Sequence, residues 1–269
     1  VATALALLEM AANARLPPLE CLFTVDEETG LTGAFALDGA LLQGRTLLNL
    51  DTEEWGAICI GCAGGGDSEL TLPVSREASP GDYLSFQLSV EGLMGGHSGV
   101  NIHEYRANAI VLLASLLEPL ATIGARLVSV RGGDKTNAIP REAFATLLLP
   151  PEAMADAQIA VGARTAALQA EFGTLETGMR VTLSGLDDAP AECLSAGAQG
   201  SLLGLLRALP HGVLKYSHAI PGLVETSNNL ASVAADGDSY RIVCSSRSSI
   251  MEALEDVRGR IATIAALCG

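Results

Sequence analysis

The strongest constraint on the fold is the order of segments that follows the glycine-rich stretch GCAGGGD at residues 61–67. Beyond it, apolar residues alternate with polar ones in short segments, and they recur at helical spacing in the longer segments between them. The strand-like segments are 69–75, 82–91, 125–131, 142–149, 179–184, 222–233 and 239–246, and the helix-like segments are 103–122, 151–171, 192–208 and 249–267. Short connections favour antiparallel pairing, with helices covering one face. Residues 67–269 are therefore predicted to form one α+β domain with an antiparallel sheet.

The first 66 residues have a different pattern, which predicts a smaller α/β unit. Helical spacing at 1–13 is followed by apolar, strand-like segments at 20–25, 45–50 and 56–61, with a short helix or turn after Thr29. This order is typical of a layered α/β sheet. The chain starts at Val1 inside the helical pattern, without a capping residue before it. We therefore expect the sequence to be a piece of a longer protein.

Composition excludes several classes of partner. The net charge is −15, from 31 acidic and 16 basic residues, and no basic tract occurs, so a nucleic-acid partner is not expected. No apolar run reaches the roughly 18 residues of a membrane span, and no basic leader precedes the first helix. The six cysteines are scattered among apolar neighbours, which indicates free thiols and a cytoplasmic protein. Cys59 and Cys62 form Cys-x-x-Cys, but without the second pair that a structural zinc site needs.

Acidic residues follow two strand-like segments of the first unit. Asp26, Glu27 and Glu28 follow the apolar run in LFTVDEETG, and Asp51 follows the apolar run in LLNLDTEEWG. Because the carboxyl ends of neighbouring parallel strands meet at one edge of a sheet, we expect these carboxylates to converge. A divalent metal would offset their repulsion, and zinc accepts carboxylate oxygen. A solvated acidic loop is the alternative interpretation.

Several motifs occur in order along the chain: DEE-x-G, N-x-DTEE, GCAGG, GGHSG, NAIPREAF, GLVETSNNLA and SRSS. Together they resemble the co-catalytic zinc dipeptidases of the aminoacylhistidine (Xaa-His, β-alanyl-histidine) dipeptidase type. That group is related to carnosinases, tripeptidase T and succinyl-diaminopimelate desuccinylase. The resemblance implies a partial metallopeptidase catalytic domain over residues 1–66, followed by a lid or dimerisation domain over residues 67–269.

The resemblance also implies roles for the carboxylates. Glu27 matches the general base that activates the water between two zinc ions, and Glu28 and Asp51 each match a ligand of one of those ions. The family's His-x-Asp motif, its bridging aspartate and its last histidine ligand have no counterpart in this sequence. Two of five protein ligands give weak zinc coordination, so the chain alone is expected to be inactive.

Three residues of the second unit match substrate-handling positions of the family. His97 of GGHSG matches the histidine that stabilises the tetrahedral oxyanion, and Asn137 and Arg247 match substrate-binding residues. The fork of donors on Arg247 suits a substrate carboxylate. From the residues alone, His97 can equally be a loop histidine, Asn137 a turn former and Arg247 a surface charge. The other histidines are interpreted as structural or exposed: His103, His211 and His218.

The expected function of the intact protein is zinc-dependent hydrolysis of short peptides such as carnosine, by a homodimer joined through the lid. Two alternatives stay open. A related amidohydrolase acting on N-acyl amino acids or small carbamoyl compounds would share the metal chemistry. The chain as it stands could also be a catalytically inactive dimerisation module.

Overall fold

In the computed structural model of the chain, residues 1–11, 13, 15–27, 31–50, 56, 58, 61–188 and 190–269 are described. The chain divides into two compact units, Val1–Ile60 and Gly61–Gly269. The division falls in the glycine-rich segment, where the sequence pattern places a boundary near residue 67. None of the helices in the described ranges combines the length and the apolar character needed to cross a lipid bilayer.

The first unit contains helix α1 (Ala2–Ala11), the short helix α2 (Thr32–Phe35) and a 3-10 turn at Gly39–Leu41. The strands predicted at 20–25 and 45–50 are wrong, because the described residues of this unit form no strand there. The side chains of Leu47 and Leu48 are 81% and 75% exposed. A parallel strand requires a neighbouring strand and two covered faces, and within the described part of the unit these segments pair with no other strand. Half of the strand predicted at 56–61 lies outside the described residues.

The second unit follows the predicted alternation. Its strands are β1 (Gly64–Pro73), β2 (Arg76–Ala78), β3 (Leu84–Glu91), β4 (Gly96–His97), β5 (Arg126–Gly132), β6 (Ala138–Ile139), β7 (Ala143–Leu149), β8 (Arg180–Gly185), β9 (Glu192–Leu194), β10 (Gly212–Tyr216), β11 (Val224–Asp236) and β12 (Ser239–Ser248). Its helices are α3 (Ala109–Thr122), α4 (Met154–Phe172), α5 (Ala196–Ala208) and α6 (Met251–Cys268), with single 3-10 turns at Ile102–Glu104 and Pro151–Ala153.

The main sheet has eight strands in the order β1-β12-β11-β5-β7-β3-β8, and β10 pairs with the first part of β11. Every strand pair in the second unit is antiparallel, so the predicted antiparallel α+β domain is confirmed. Two short pairs, β2 with β9 and β4 with β6, lie outside the main sheet. The β4–β6 pair carries His97 and is preceded at β6 by Asn137, whereas Arg247 lies on β12 of the main sheet.

The helices pack against one another and against the sheet in the order α4, α3, α5 and α6. Helix α3 is apolar around most of its circumference, and its Leu113, Leu116 and Leu120 are fully buried. Asn108 caps this helix, since its Oδ1 accepts hydrogen bonds from the N–H groups of Ile110 and Val111. The helix therefore starts at a fixed point, immediately after the segment that contains His97.

The sheet consists of two halves that meet between β11 and β5. The two halves repeat one order of elements along the chain: strand, helix, strand, strand, helix. In one half these elements are β3, α3, β5, β7 and α4, and in the other they are β1, α5, β11, β12 and α6. The second strand of each set lies at the junction, the third lies next to it, and the first lies farthest from it. Among the described residues, the strand pairing between the two halves consists of Val233 with Gly132, and Val130 also donates its N–H to the hydroxyl group of Tyr240.

Candidate functional site

His97 lies on β4, in a turn that needs glycine. Gly95 and Gly96 have φ angles of 63° and 136°, which L side chains rarely adopt. A Cβ on Gly96 would also lie 2.8 Å from Oδ1 of Asn101. Strand β4 pairs with β6 so that His97 faces Ala138, and Ser98 donates its N–H to the carbonyl oxygen of Asn137 at 2.8 Å. The GGHSG turn thereby places His97 beside Asn137.

The ring of His97 is held in one orientation by the backbone of its own turn. Its Nδ1 accepts hydrogen bonds from the N–H groups of Gly99 (3.2 Å) and Val100 (3.1 Å). The proton of the neutral ring is therefore on Nε2. Partial desolvation of the ring by its own turn, and then the nearby charge of Arg247, lower the pKa of His97 from its ordinary value. The result is a neutral imidazole with one free donor on an exposed side chain.

A chain of polar contacts fixes the turn from its far side. His97 donates its N–H to Oδ1 of Asn101, and Asn101 donates Nδ2 to Oε1 of Glu104 at 2.8 Å. Arg106 pairs with Glu104 at 2.7 Å and donates to the carbonyl oxygen of Gly95 at 2.6 Å. Hydrogen bonds from Asn101 and Arg106 lower the pKa of Glu104. Asn101, Glu104 and Arg106 are absent from the sequence-based site, although VNIHEYR directly follows GGHSG.

Arg247 approaches His97 from strand β12 in the other half of the sheet. A Cβ on Gly99 would lie 3.2 Å from Nε of Arg247 and 3.2 Å from Cε1 of His97, so Gly99 separates the two side chains. Nε of Arg247 is buried and has no hydrogen-bond partner among the described residues. An unpaired buried donor on a cation is costly, so an anionic group at this position is favoured.

Asn137 is exposed in the turn before β6, and the neighbouring strand β11 holds that turn in place. Asn229 donates Nδ2 to the carbonyl oxygens of Ala138 (2.8 Å) and Thr136 (3.4 Å). Gly133, with φ 67°, turns the chain away from β5, and a Cβ there would overlap the carbonyl oxygen of Ala231. Asn229 lies inside the motif GLVETSNNLA, but the local sequence does not show that Asn229, and not Asn228, bonds to the turn.

The structure thus brings His97, Asn137 and Arg247 together from three distant stretches of the chain. Two of the three carboxylates predicted in the first unit, Glu28 and Asp51, lie outside the described residues. Glu27 is exposed in a turn after Asp26, which has a φ of 56° and accepts a hydrogen bond from Oγ1 of Thr32. The strand expected before Glu27 is not formed in the described residues, and the convergence of the three carboxylates stays a prediction because two of them lie outside those residues.

Across the described part of the chain, no group of three or more His, Cys, Asp or Glu side chains could hold a metal ion. The histidines outside the site agree with their interpretation as structural or exposed. His103 and His218 are exposed, and His211 lies with Nδ1 3.2 Å from Nδ2 of Asn108. Burial lowers the pKa of His211 to about 4.

This chain is similar to known proteins in sequence and in fold. Residues 88–174 match the family model of the peptidase dimerisation domain. Cytosol non-specific dipeptidase of Escherichia coli (strain K12) is 37% identical over 253 residues, which is 94% of this chain and 52% of that protein. The crystal structure of aminoacylhistidine dipeptidase from Vibrio alginolyticus superimposes with a TM-score of 0.83 at 37% identity, over 91% of this chain and 50% of that one.

The resemblance to dipeptidases is confirmed. It applies to a chain that spans about half the length of the relatives it matches. His97 and Asn137 lie inside the peptidase dimerisation domain, whereas Asn229 and Arg247 lie beyond its last matched residue. The candidate site therefore combines this domain with the second half of the sheet.

Proposed function

We propose that this chain is part of a metal-dependent dipeptidase and that the site around His97 binds the substrate. The observation that carries the proposal is that the side chains of His97 and Arg247 lie on either side of Gly99, while Asn137 is bonded through its backbone to Ser98, the residue after His97. A neutral imidazole with a free Nε2–H lies beside a guanidinium with an unpaired buried donor. The names of both relatives, each a dipeptidase, support the same reaction class.

Each residue of this site has a defined task in peptide hydrolysis. His97 donates Nε2–H to the oxygen of the scissile carbonyl as negative charge develops there, and its lowered pKa keeps the ring neutral. Arg247 binds the substrate's terminal carboxylate through its fork of donors. Asn137 supplies an amide that can bind the peptide backbone of the substrate.

The remaining tasks belong to the first unit. Glu27 would take a proton from the attacking water and return it to the leaving amine, while Glu28 and Asp51 would each hold one of two zinc ions. Zinc, when bound, polarises the peptide carbonyl and acidifies water. Carboxylate oxygen suits zinc, but two carboxylates do not make a complete site. We propose that the further ligands belong to parts of the whole protein outside these 269 residues, and that the chain alone is inactive.

The proposed substrates are dipeptides with a C-terminal histidine, such as carnosine, because the relative with the known structure is named for them. The Escherichia coli relative is named as non-specific, so a wider range of dipeptides is the second possibility. N-acyl amino acids and small carbamoyl compounds are the alternative class. We also propose a cytoplasmic homodimer joined through the second unit. The matched dimerisation domain supports the dimer, and the free thiols of Cys21, Cys62, Cys193, Cys244 and Cys268 support a reducing compartment.

The test is a substrate panel assayed with the longer protein that contains these residues, loaded with zinc. We expect release of histidine from Xaa-His dipeptides and no hydrolysis of N-acyl or N-carbamoyl amino acids. Hydrolysis of those compounds alone would replace the dipeptidase proposal with the amidohydrolase alternative. If no member of the panel reacts, the inactive dimerisation module is the better interpretation.

A further inference from the structure

The segment 94–107, which carries His97, is held at both ends by one side chain. Oε2 of Glu176 accepts a hydrogen bond from the N–H of Met94 at 2.7 Å, and Oε1 accepts one from the N–H of Ala107 at 2.9 Å. The first donor lies just before the glycines of the GGHSG turn, and the second lies just before Asn108, the cap of α3. One carboxylate therefore joins the start of the segment to its end.

Glu176 occupies a buried position, where a glutamate is unusual. The residue is only 2% exposed, and none of the ion pairs in the described ranges includes it. A buried carboxylate is costly unless strong hydrogen bonds compensate for the lost water. Hydrogen bonds from backbone N–H groups to a carboxylate are charge-assisted and short, as these two are. Both oxygens of Glu176 are thus committed to the segment that carries His97.

The local chain brings Glu176 to this place through a close contact of two glycines. Glu176 lies in the turn between α4 and β8, where its N–H donates to the carbonyl oxygen of Phe172 at 2.7 Å. Gly92 has a φ of 75°, and a Cβ on it would overlap the carbonyl oxygen of Gly178. The absence of side chains at Gly92 and Gly178 lets the turn after α4 touch the end of β3.

We propose that Glu176 is a positioning residue for His97. By fixing the distance between Met94 and Ala107, it holds the turn in the shape in which Gly99 and Val100 bind Nδ1 of His97. This shape leaves Nε2–H as the free donor beside Arg247. The catalytic meaning of the arrangement rests on the proposed function, but the structural coupling of Glu176 to His97 does not.

The experiment is side-chain NMR of His97 in the 269-residue chain, with Glu176→Gln as the variant and His97→Gln to assign the signal. In Glu176→Gln, an amide NH₂ faces one of the two backbone N–H groups, so one hydrogen bond is lost and two donors oppose each other. We expect the neutral ring of His97 to change from the Nε2–H tautomer to a mixture, and its pKa to rise towards the ordinary value. Amide exchange at Met94 or Ala107 should accelerate about tenfold or more.

The matched control is Gln199→Met. Gln199 is buried and bonds the backbone N–H of Leu127 and carbonyl of Ala125, far along the chain from the His97 turn, so its loss reports general destabilisation. We expect it to leave the tautomer and pKa of His97 unchanged. An unchanged His97 in Glu176→Gln, or an equal change in Gln199→Met, would overturn the proposal. No activity is measured here, so absence of dipeptidase activity in the longer protein would leave this result standing.

Discussion

The two units contain similar apolar patterns but use them differently. In Gly61–Gly269, Leu113 of helix α3 and Leu230 of strand β11 are fully buried. In Val1–Ile60, by contrast, Leu48 is 75% exposed. Every buried apolar residue in the described ranges lies at Leu72 or beyond. The strands of the second unit pair both with near neighbours in the chain, as β11 does with β12, and with distant ones, as β1 does with β12, whereas parallel strands need crossover connections. An apolar run therefore forms a strand only where its partners are also present.

The two units also divide the proposed chemistry, and the largest expected effect tests this division. In the longer, zinc-loaded protein, Glu27→Gln should lower kcat by about 10²–10⁴, because an amide cannot accept the proton of the attacking water. The zinc content should be unchanged, since Glu27 is not a proposed ligand. Steady-state kinetics and metal analysis would measure both.

The matched control for this change is Glu20→Gln in the same unit. Glu20 is exposed and accepts hydrogen bonds from the N–H groups of Gln43 and Gly44. It should leave kcat close to the wild-type value. Near wild-type turnover in Glu27→Gln would place the general base elsewhere.

Substitution of leucine by alanine should destabilise the protein more in the second unit than in the first. Leu113→Ala removes a fully buried side chain from α3 and should lower the free energy of unfolding by about 2–5 kcal/mol. Leu48→Ala makes the same change at an exposed position and should cost less than about 0.5 kcal/mol in the 269-residue chain. Urea unfolding followed by circular dichroism would measure both. Similar losses in the two variants would show that the first unit has a core of its own.

The sequence predicted the second unit well because its helices and strands alternate with short connections. It did not predict β10, since GVLKY lacks a clear alternation and is defined by its pairing with β11. Asn229 and Glu176 were also missed. Each acts on backbone groups that are far away in the sequence, and no local pattern reports such a contact. His97, Asn137 and Arg247 were found through motifs, whereas their proximity depends on how the two halves of the sheet meet.

The pH dependence of stability should come from the second unit. The pKa of His211 is lowered to about 4 by burial, so protons bind the unfolded chain more readily than the folded one between the ordinary pKa of 6.5 and about 4. Stability is therefore complete above pH 6.5 and falls as the pH decreases through this window, by about 3 kcal/mol at most. Urea unfolding at pH 7 and pH 4.5 should show a smaller difference in His211→Gln than in the wild type. His103→Gln, at an exposed histidine, should keep the wild-type difference.

Substrate binding should depend on the shape of the arginine and not on its charge alone. Arg247→Lys in the longer protein keeps the charge but loses the fork, and KM for a dipeptide should rise about tenfold or more with a smaller change in kcat. Arg241→Lys is the matched control on the same strand, because Arg241 forms an exposed pair with Glu69. It should leave KM unchanged. An equal rise in both variants would indicate a general effect on β12 and would remove Arg247 from the substrate site.

The smallest expected effect accompanies the largest change to the chain. Removal of residues 1–60 should leave the thermal midpoint and the urea dependence of the second unit within experimental error of those in the full 269 residues. The reason is that the described core starts at Leu72 and its strands are paired within Gly61–Gly269. The His97 signals should also persist, since the contacts that fix its turn come from Asn101, Glu176 and other residues of that unit. Calorimetry and NMR of residues 61–269 would test this. A broad, weakly cooperative transition, or loss of the Nε2–H tautomer of His97, would show that the first unit stabilises the second despite its exposed apolar side chains.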